Sequence, residues 1–192
     1  MHTGGGERMI RDEELYRQYL SGDELGLREL MDRYGDRLTV YLRSFALNLD
    51  EAEELMVEAF ARVFLAKPNL RQDCFRAYLF KTGRHLAARA HRSRTRQPSF
   101  SLEALELDPE SEQDLERTLL RDETHRTLHR CLARLEPSLR ESLWLIYFED
   151  MHYAEASEIL GVKPRQLDYL LQKGKRLLRE ELEKEGVTNA QY

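Results

Sequence analysis

Few of the residues that staple, metallate or anchor a protein occur in this chain. Its 192 residues include two cysteines, Cys74 and Cys131, far apart and outside any C-x-x-C pair. They give no disulfide framework and read as two reduced, partly buried thiols. Nowhere do the roughly 18 consecutive apolar residues of a membrane span occur, so no membrane insertion is expected. Met1 to Glu7 lacks the apolar stretch of a secretion signal, and the expectation is a soluble cytoplasmic protein. There is no Gly-rich phosphate loop, no nucleophile elbow, and no pair of carboxylates set apart for acid/base work, so neither an enzyme nor a cofactor is expected. His125 and His129 stand four apart with Cys131 nearby and could share a helix face. No further ligand and no His-Glu-x-x-His arrangement accompanies them, so they read as surface histidines and no metal is expected.

What the chain does have is charge, unevenly placed. The net charge is −5 over the whole sequence, yet residues 71–98 carry eight basic side chains and only Asp73. Residues 99–160 carry 6 basic and 15 acidic groups, and residues 161–192 carry 7 and 5. Two basic segments thus sit inside an acidic protein, and a nucleic-acid footprint needs local positive charge rather than a basic total.

Almost every segment has helical periodicity. Leu27, Leu30, Met31, Tyr34, Leu38, Tyr41, Leu42 and Phe45 recur at three- and four-residue steps behind a Ser21-Gly22-Asp23 break, with Asp23 as expected cap. Asp50 and Glu53 resemble a capping box ahead of a second face of Ala52, Leu55, Met56, Ala59, Phe60, Val63 and Phe64, which Pro68 ends. After a loop over residues 67–73, a third helix is expected from Phe75 to about Arg94, with Phe75, Leu79, Thr82, Leu86 and Ala90 inward. Residues 97–114 alternate six acidic residues with leucines around Pro109 and read as an extended, solvated linker. Leu115, Leu119, Leu128, Leu132 and Leu135 mark the next helix, and Pro137 opens another. Tyr153 to Leu160, with Gly161 as C-cap, and a last helix from Pro164 complete the pattern. The expected fold is all-α: two small helical domains, 1–96 and 115–185, joined by a flexible acidic linker over 97–114, with a tail over 186–192.

Two constellations could carry function. Residues 153–183 have the form of a helix-turn-helix: a short helix with small residues Ala154 and Ala156 for the crossing, a tight turn at Gly161, and a second helix apolar on one side. Its other side offers Lys163, Arg165, Gln166, Asp168, Tyr169, Gln172, Lys173, Lys175 and Arg176. Lys and Arg bond phosphates, Arg reads guanine and Gln reads adenine. A plain helical hairpin with solvated charges gives the same pattern. In the other constellation, Lys81, Arg84, His85, Arg89 and Arg92 fall at helical spacings, with Tyr78 and Phe80 as aromatic surface. Cations beside aromatics suit single-stranded DNA, and a solvated basic helix with its aromatics in the core is the competing reading.

In this order the segments resemble the extracytoplasmic-function sigma factors, the small sigma-70 members that keep regions 2 and 4. Leu30 to Leu38, Asp50 to Phe64 and Phe75 to Thr82 are similar to segments of region 2. Leu132 to Pro137 and Tyr153 to Val162 are similar to region 4. The resemblance implies an alternative sigma factor that binds core RNA polymerase and directs promoter-specific initiation. Glu51, Glu54, Glu58 and Arg62 would meet the β′ clamp helices. Asn69 and Arg71 would capture a flipped −10 base, and Tyr78, Lys81, Arg84, His85, Arg89 and Arg92 would hold the melting duplex. Lys163, Arg165, Gln166, Tyr169, Lys173, Lys175 and Arg176 would read the −35 element, with the β flap as the second module's protein contact. An anti-sigma factor is the further partner implied. The competing functions are a polymerase-independent helix-turn-helix regulator and a sigma-like decoy that titrates an anti-sigma factor.

Overall fold

Gly22 takes φ of +101°, and the chain breaks there between α1 (Asp12–Leu20) and α2 (Leu25–Arg43). The Asp23 carboxylate accepts from the Leu25 N–H at 3.0 Å, a side-chain bond that favours the turn over continued helix. The computed structural model describes residues 10–70, 74–96 and 123–187, and all regular elements among them are helical. The expected linker over 97–114, together with Leu115 and Leu119, lies outside these residues. α1 and α2 cross at Gly26, where an added Cβ would stand 2.1 Å from the Leu15 carbonyl oxygen. Only a residue without a side chain permits that approach.

α3 (Leu49–Ala66) starts one residue before the expected cap. Asn48 is the N-cap, its Oδ1 accepting from the Glu51 N–H at 2.9 Å. The Glu51 carboxylate reaches back to the Leu47 N–H at 2.6 Å. Asn48, rather than Asp50, satisfies an orphan donor of the first turn, and Glu51, rather than Glu53, reaches back across the start of the helix. The helix ends at Lys67, left-handed at φ 45°, immediately before Pro68. α4 (Phe75–Arg96) is started from outside itself. The buried Glu13 of α1 accepts from the N–H groups of Cys74 and Phe75 at 3.0 and 3.2 Å, which places a carboxylate at the positive end of the helix. Phe75, Leu79 and Leu86 of α4 are buried as expected. Thr82 is not in the core but at its flank, where its hydroxyl donates to the Tyr78 carbonyl at 2.8 Å. Phe80 belongs to the core and not to an aromatic surface: it is fully buried and lies 5.4 Å from the Tyr41 ring.

The second half comprises α5 (Glu123–Ala133), α6 (Pro137–Leu143), α7 (Tyr153–Leu160) and α8 (Pro164–Lys184). Pro137 and Pro164 occupy first-turn positions as expected. α6 widens into a π-helical turn over Trp144–Phe148, which stacks the Trp144 and Phe148 rings at 4.6 Å. His129 of α5 meets the Trp144 ring edge-on at 5.2 Å. His129 is therefore an aromatic-cluster residue and not a surface histidine; the His125 side chain lies outside the description. Ala156 is buried at the α7 crossing, whereas Ala154 is exposed and takes no part in it. Gly161 caps α7 at φ 68°. Gly174 lets α8 sit against Leu143, whose Cδ1 would lie 3.1 Å from an added Cβ.

One apolar cluster runs through both halves, from Leu15 and Phe80 to Leu143 and Leu167. The helices that join them are α4 and α7. This apposition sets the surroundings of the basic helix.

Candidate nucleic-acid and protein interfaces

The first surface is the outer face of α3. Burying Ala52, Leu55, Ala59, Phe60 and Val63 against α2 and α4 turns Glu54, Val57, Glu58, Arg62 and Leu65 outward. Arg62 donates to Glu58 at 2.6 Å, one turn away. Leu65 is 81% exposed and Val57 52%. These two apolar residues share the face with the acidic ones, and periodicity alone did not single them out. Their sign in the sequence is that they fall between the buried steps of the helix. Glu51 does not share this face freely: it caps α3 and pairs with Arg94 of α4.

The second surface is the mouth between α1 and the loop after α3. A cleft of about 520 Å³ opens there, with Arg11, Glu13, Tyr16, Arg17, Lys67 and Asn69 on its walls. Asn69 is exposed at its rim. Arg71 lies outside the described residues. The α1 contribution was not foreseen, because no local pattern links Arg11 or Arg17 to a loop more than fifty residues later.

On α4, Tyr78, His85 and Arg89 are exposed. Arg92 Nε donates to the Ala88 carbonyl at 3.2 Å. Lys81 and Arg84 face the second half of the chain. Lys81 Nζ lies 2.6 Å from Glu158 of α7, and Arg84 Nε lies 2.6 Å from Glu141 of α6. Glu141 is almost fully buried and also lies 3.4 Å from the Tyr41 hydroxyl. Burial works against the Arg84 charge, but the hydrogen bond and charge of Glu141 outweigh it and its pKa rises. Burial raises the Tyr41 phenol well above its ordinary range, with the Glu141 charge adding to it.

On α8, Arg165, Gln166, Asp168, Tyr169, Gln172 and Arg176 line the outward side, while Leu167, Leu171 and Gly174 face in. Several of these side chains have local partners. Gln166 Oε1 accepts from the Lys163 N–H at 2.9 Å, closing the first turn. Gln172 donates to Asp168 at 3.2 Å, and Arg176 pairs with Glu180 at 3.0 Å. Lys173 reaches Glu136 at 3.7 Å, and Lys175 sits over the Tyr147 ring at 4.8 Å. Among the described residues no cluster could hold a metal ion, and no helix is long and apolar enough to cross a membrane.

Comparison with known proteins matches residues 30–97 to sigma-70 region 2 and residues 125–178 to sigma-70 region 4. The chain belongs to the sigma-70 family. Region 2 spans α2 to α4, and region 4 spans α5 to most of α8. The RNA polymerase sigma-H factor of Pseudomonas aeruginosa is 26% identical over 163 residues, 78% of this chain and 82% of the relative. The ECF RNA polymerase sigma factor SigE of Mycolicibacterium smegmatis is 29% identical over 169 residues, 85% of this chain and 64% of the relative. With region 2 followed by region 4, the chain is a sigma factor of the extracytoplasmic-function type. Its fold is shared by the sigma factor RpoE of Bartonella quintana, solved with the anti-sigma factor NepR. The TM-score is 0.63 at 17% identity, covering 82% of this chain and 96% of that one.

Proposed function

We propose that this protein is an alternative sigma factor that recruits core RNA polymerase to a two-part promoter. The supporting observation is the order of three surfaces on one chain: the α3 face, the cleft and basic helix of region 2, and the outward side of α8 in region 4. Exposed Val57 and Leu65 beside Glu54, Glu58 and Arg62 suit docking on a protein with basic and apolar groups, here the β′ clamp helices. Apolar anchors supply affinity and charges supply register. The cleft near Asn69 takes an unstacked −10 base. Tyr78, Lys81, Arg84, His85, Arg89 and Arg92 hold the separated strand by stacking and phosphate pairing. Lys163, Arg165, Tyr169, Lys173, Lys175 and Arg176 approach the −35 major groove, and Gln166 contributes through whatever its capping bond leaves free. The β flap is the protein contact of region 4. An anti-sigma factor is a further partner, supported by RpoE having been solved with one.

The deciding experiment mixes the purified chain with bacterial core RNA polymerase and follows co-elution, then run-off transcription from a promoter library. A stable, transcribing complex is expected. A folded chain that forms no complex overturns the proposal in favour of the independent regulator or the decoy.

A further inference from the structure

The outward side of α8 carries an acid among its cations. Arg165, Asp168, Tyr169, Gln172 and Arg176 fall at steps of three and four along one exposed stripe. Asp168 lies in the second turn of the helix that Pro164 opens. This is the N-terminal part that a helix-turn-helix presents to base edges. A carboxylate placed there faces a polyanion, and it is disfavoured unless a base edge offers it a donor. Within the chain Asp168 is held by Gln172, whose Nε2 donates to Oδ2 at 3.2 Å. A carboxylate only accepts, so this bond fixes which end of the amide points at Asp168. The amide is neutral, so the bond leaves the negative charge in place. It takes one of the roughly four lone-pair sites of the carboxylate. Arg176, one turn beyond Gln172, pairs onward with Glu180 at 3.0 Å.

We propose that Asp168 is a specificity-determining residue of the −35 contact and selects a cytosine, by accepting a hydrogen bond from the N4 amino group in the major groove. This rests on the −35 role given to α8 above. The choice among bases follows from what each edge presents. Guanine shows N7 and O6, both acceptors, and thymine shows O4 and a methyl group. Neither gives a carboxylate a hydrogen. Adenine sets its N6 amino group beside the N7 acceptor, so a carboxylate that reaches N6 brings its second oxygen toward the N7 lone pair. Cytosine shows its amino group with no acceptor on its own edge. A carboxylate left unpaired at any other base carries the desolvation cost of a charge without a partner. The charge that repels phosphates therefore also discriminates between bases. Arg165 and Arg176 on the same stripe supply the phosphate attraction that brings an acid into the groove.

The test selects bound sequences from a duplex DNA library randomised over the −35 segment, once with the chain on core polymerase and once with the full chain alone. Wild type is compared with Asp168→Asn and Asp168→Ala, both changes at an exposed position. In wild type one position is expected to favour cytosine by about tenfold or more. Asp168→Asn keeps the shape and the oxygen that accepts from Gln172 but gains an amide donor. Since Asn pairs with N6 and N7 of adenine, it should favour adenine at that same position and leave the others unchanged. Asp168→Ala should lose the cytosine preference and put nothing in its place. A wild-type profile with no cytosine preference, or a preference that Asp168→Ala retains, overturns the proposal. So does a uniform gain in affinity over all sequences with base preferences unchanged, which would mean that Asp168 only repels phosphate. A chain that forms no complex with polymerase fails the sigma reading, while its selection as a free chain still tests Asp168, so each can fail alone.

Discussion

At the scale of single residues, position on a helix decides which charges and apolar groups are available to a partner. Leu65 projects from the end of α3 with 81% of its surface exposed. Replacing it costs the fold little, since exposed substitutions away from special features fall within about 0.5 kcal/mol. Leu65→Gln, which keeps helix propensity and adds no charge at the end of α3, is expected to leave thermal unfolding nearly unchanged and to weaken core-polymerase binding by about tenfold or more, as loss of an apolar anchor does; unchanged affinity would remove Leu65 from the docking face. Glu149 behaves in the opposite way, because it is buried. Burial raises its pKa above the ordinary carboxylate value, with the Arg37 charge pulling it down. The folded protein thus holds this proton more tightly than the unfolded chain. Its stabilising contribution is complete below the ordinary carboxylate value and is lost as the pH rises through the raised one. Across that window, acidification should raise the melting temperature of wild type relative to Glu149→Gln, which has no titrating group there. Parallel pH curves for the two proteins would contradict this.

At the scale of elements, most helices were legible because their apolar residues recur at the helical period and their ends carry Gly, Pro or Asn. Pro68, Pro137, Gly161 and Pro164 all mark the expected boundaries. What the sequence did not reveal depends on contacts across the chain. Phe80 and Tyr78 are both aromatic and two positions apart, yet only Phe80 meets Tyr41 in the core. Glu13 reads as one of three acids in a first turn, and only folding brings it to the start of α4. The π-helical turn at Trp144 has no signature of its own, and the aromatic cluster with His129 follows from it. The candidate site was half legible for the same reason: its cations were evident, but their acidic partners in region 4 were not. Gly26 is a sharp test of helix placement. Its missing Cβ would collide with the backbone at Leu15, which no side-chain rotation relieves. Gly26→Ala should therefore destabilise by at least the upper part of the about 1–3 kcal/mol typical of overpacking. Chemical denaturation measures it. A neutral result would mean that α1 and α2 do not cross here.

At the scale of the whole molecule, the same cations face two competing anionic partners, one inside the chain and one outside. The competition has a thermodynamic signature distinct from affinity. A cation that binds a phosphate releases condensed counterions, and for single strands log K falls with log salt by about 0.7 for each phosphate neutralised. A cation already held by Glu141 or Glu158 contributes nothing to that slope while it remains paired. If wild type meets the strand mainly through His85, Arg89 and Arg92, freeing Lys81 and Arg84 adds up to two phosphate contacts. The slope for Glu141→Gln with Glu158→Gln should then be steeper than that of wild type by up to about 1.4. The exposed Lys81–Glu158 pair is itself screened by salt, whereas the buried Arg84–Glu141 pair is screened much less. Salt alone therefore loosens one contact and leaves the other. Equal slopes with unequal affinities would mean that wild type uses the same cations once bound. A steeper slope would mean that Lys81 and Arg84 stay paired with Glu158 and Glu141 when wild type binds a strand.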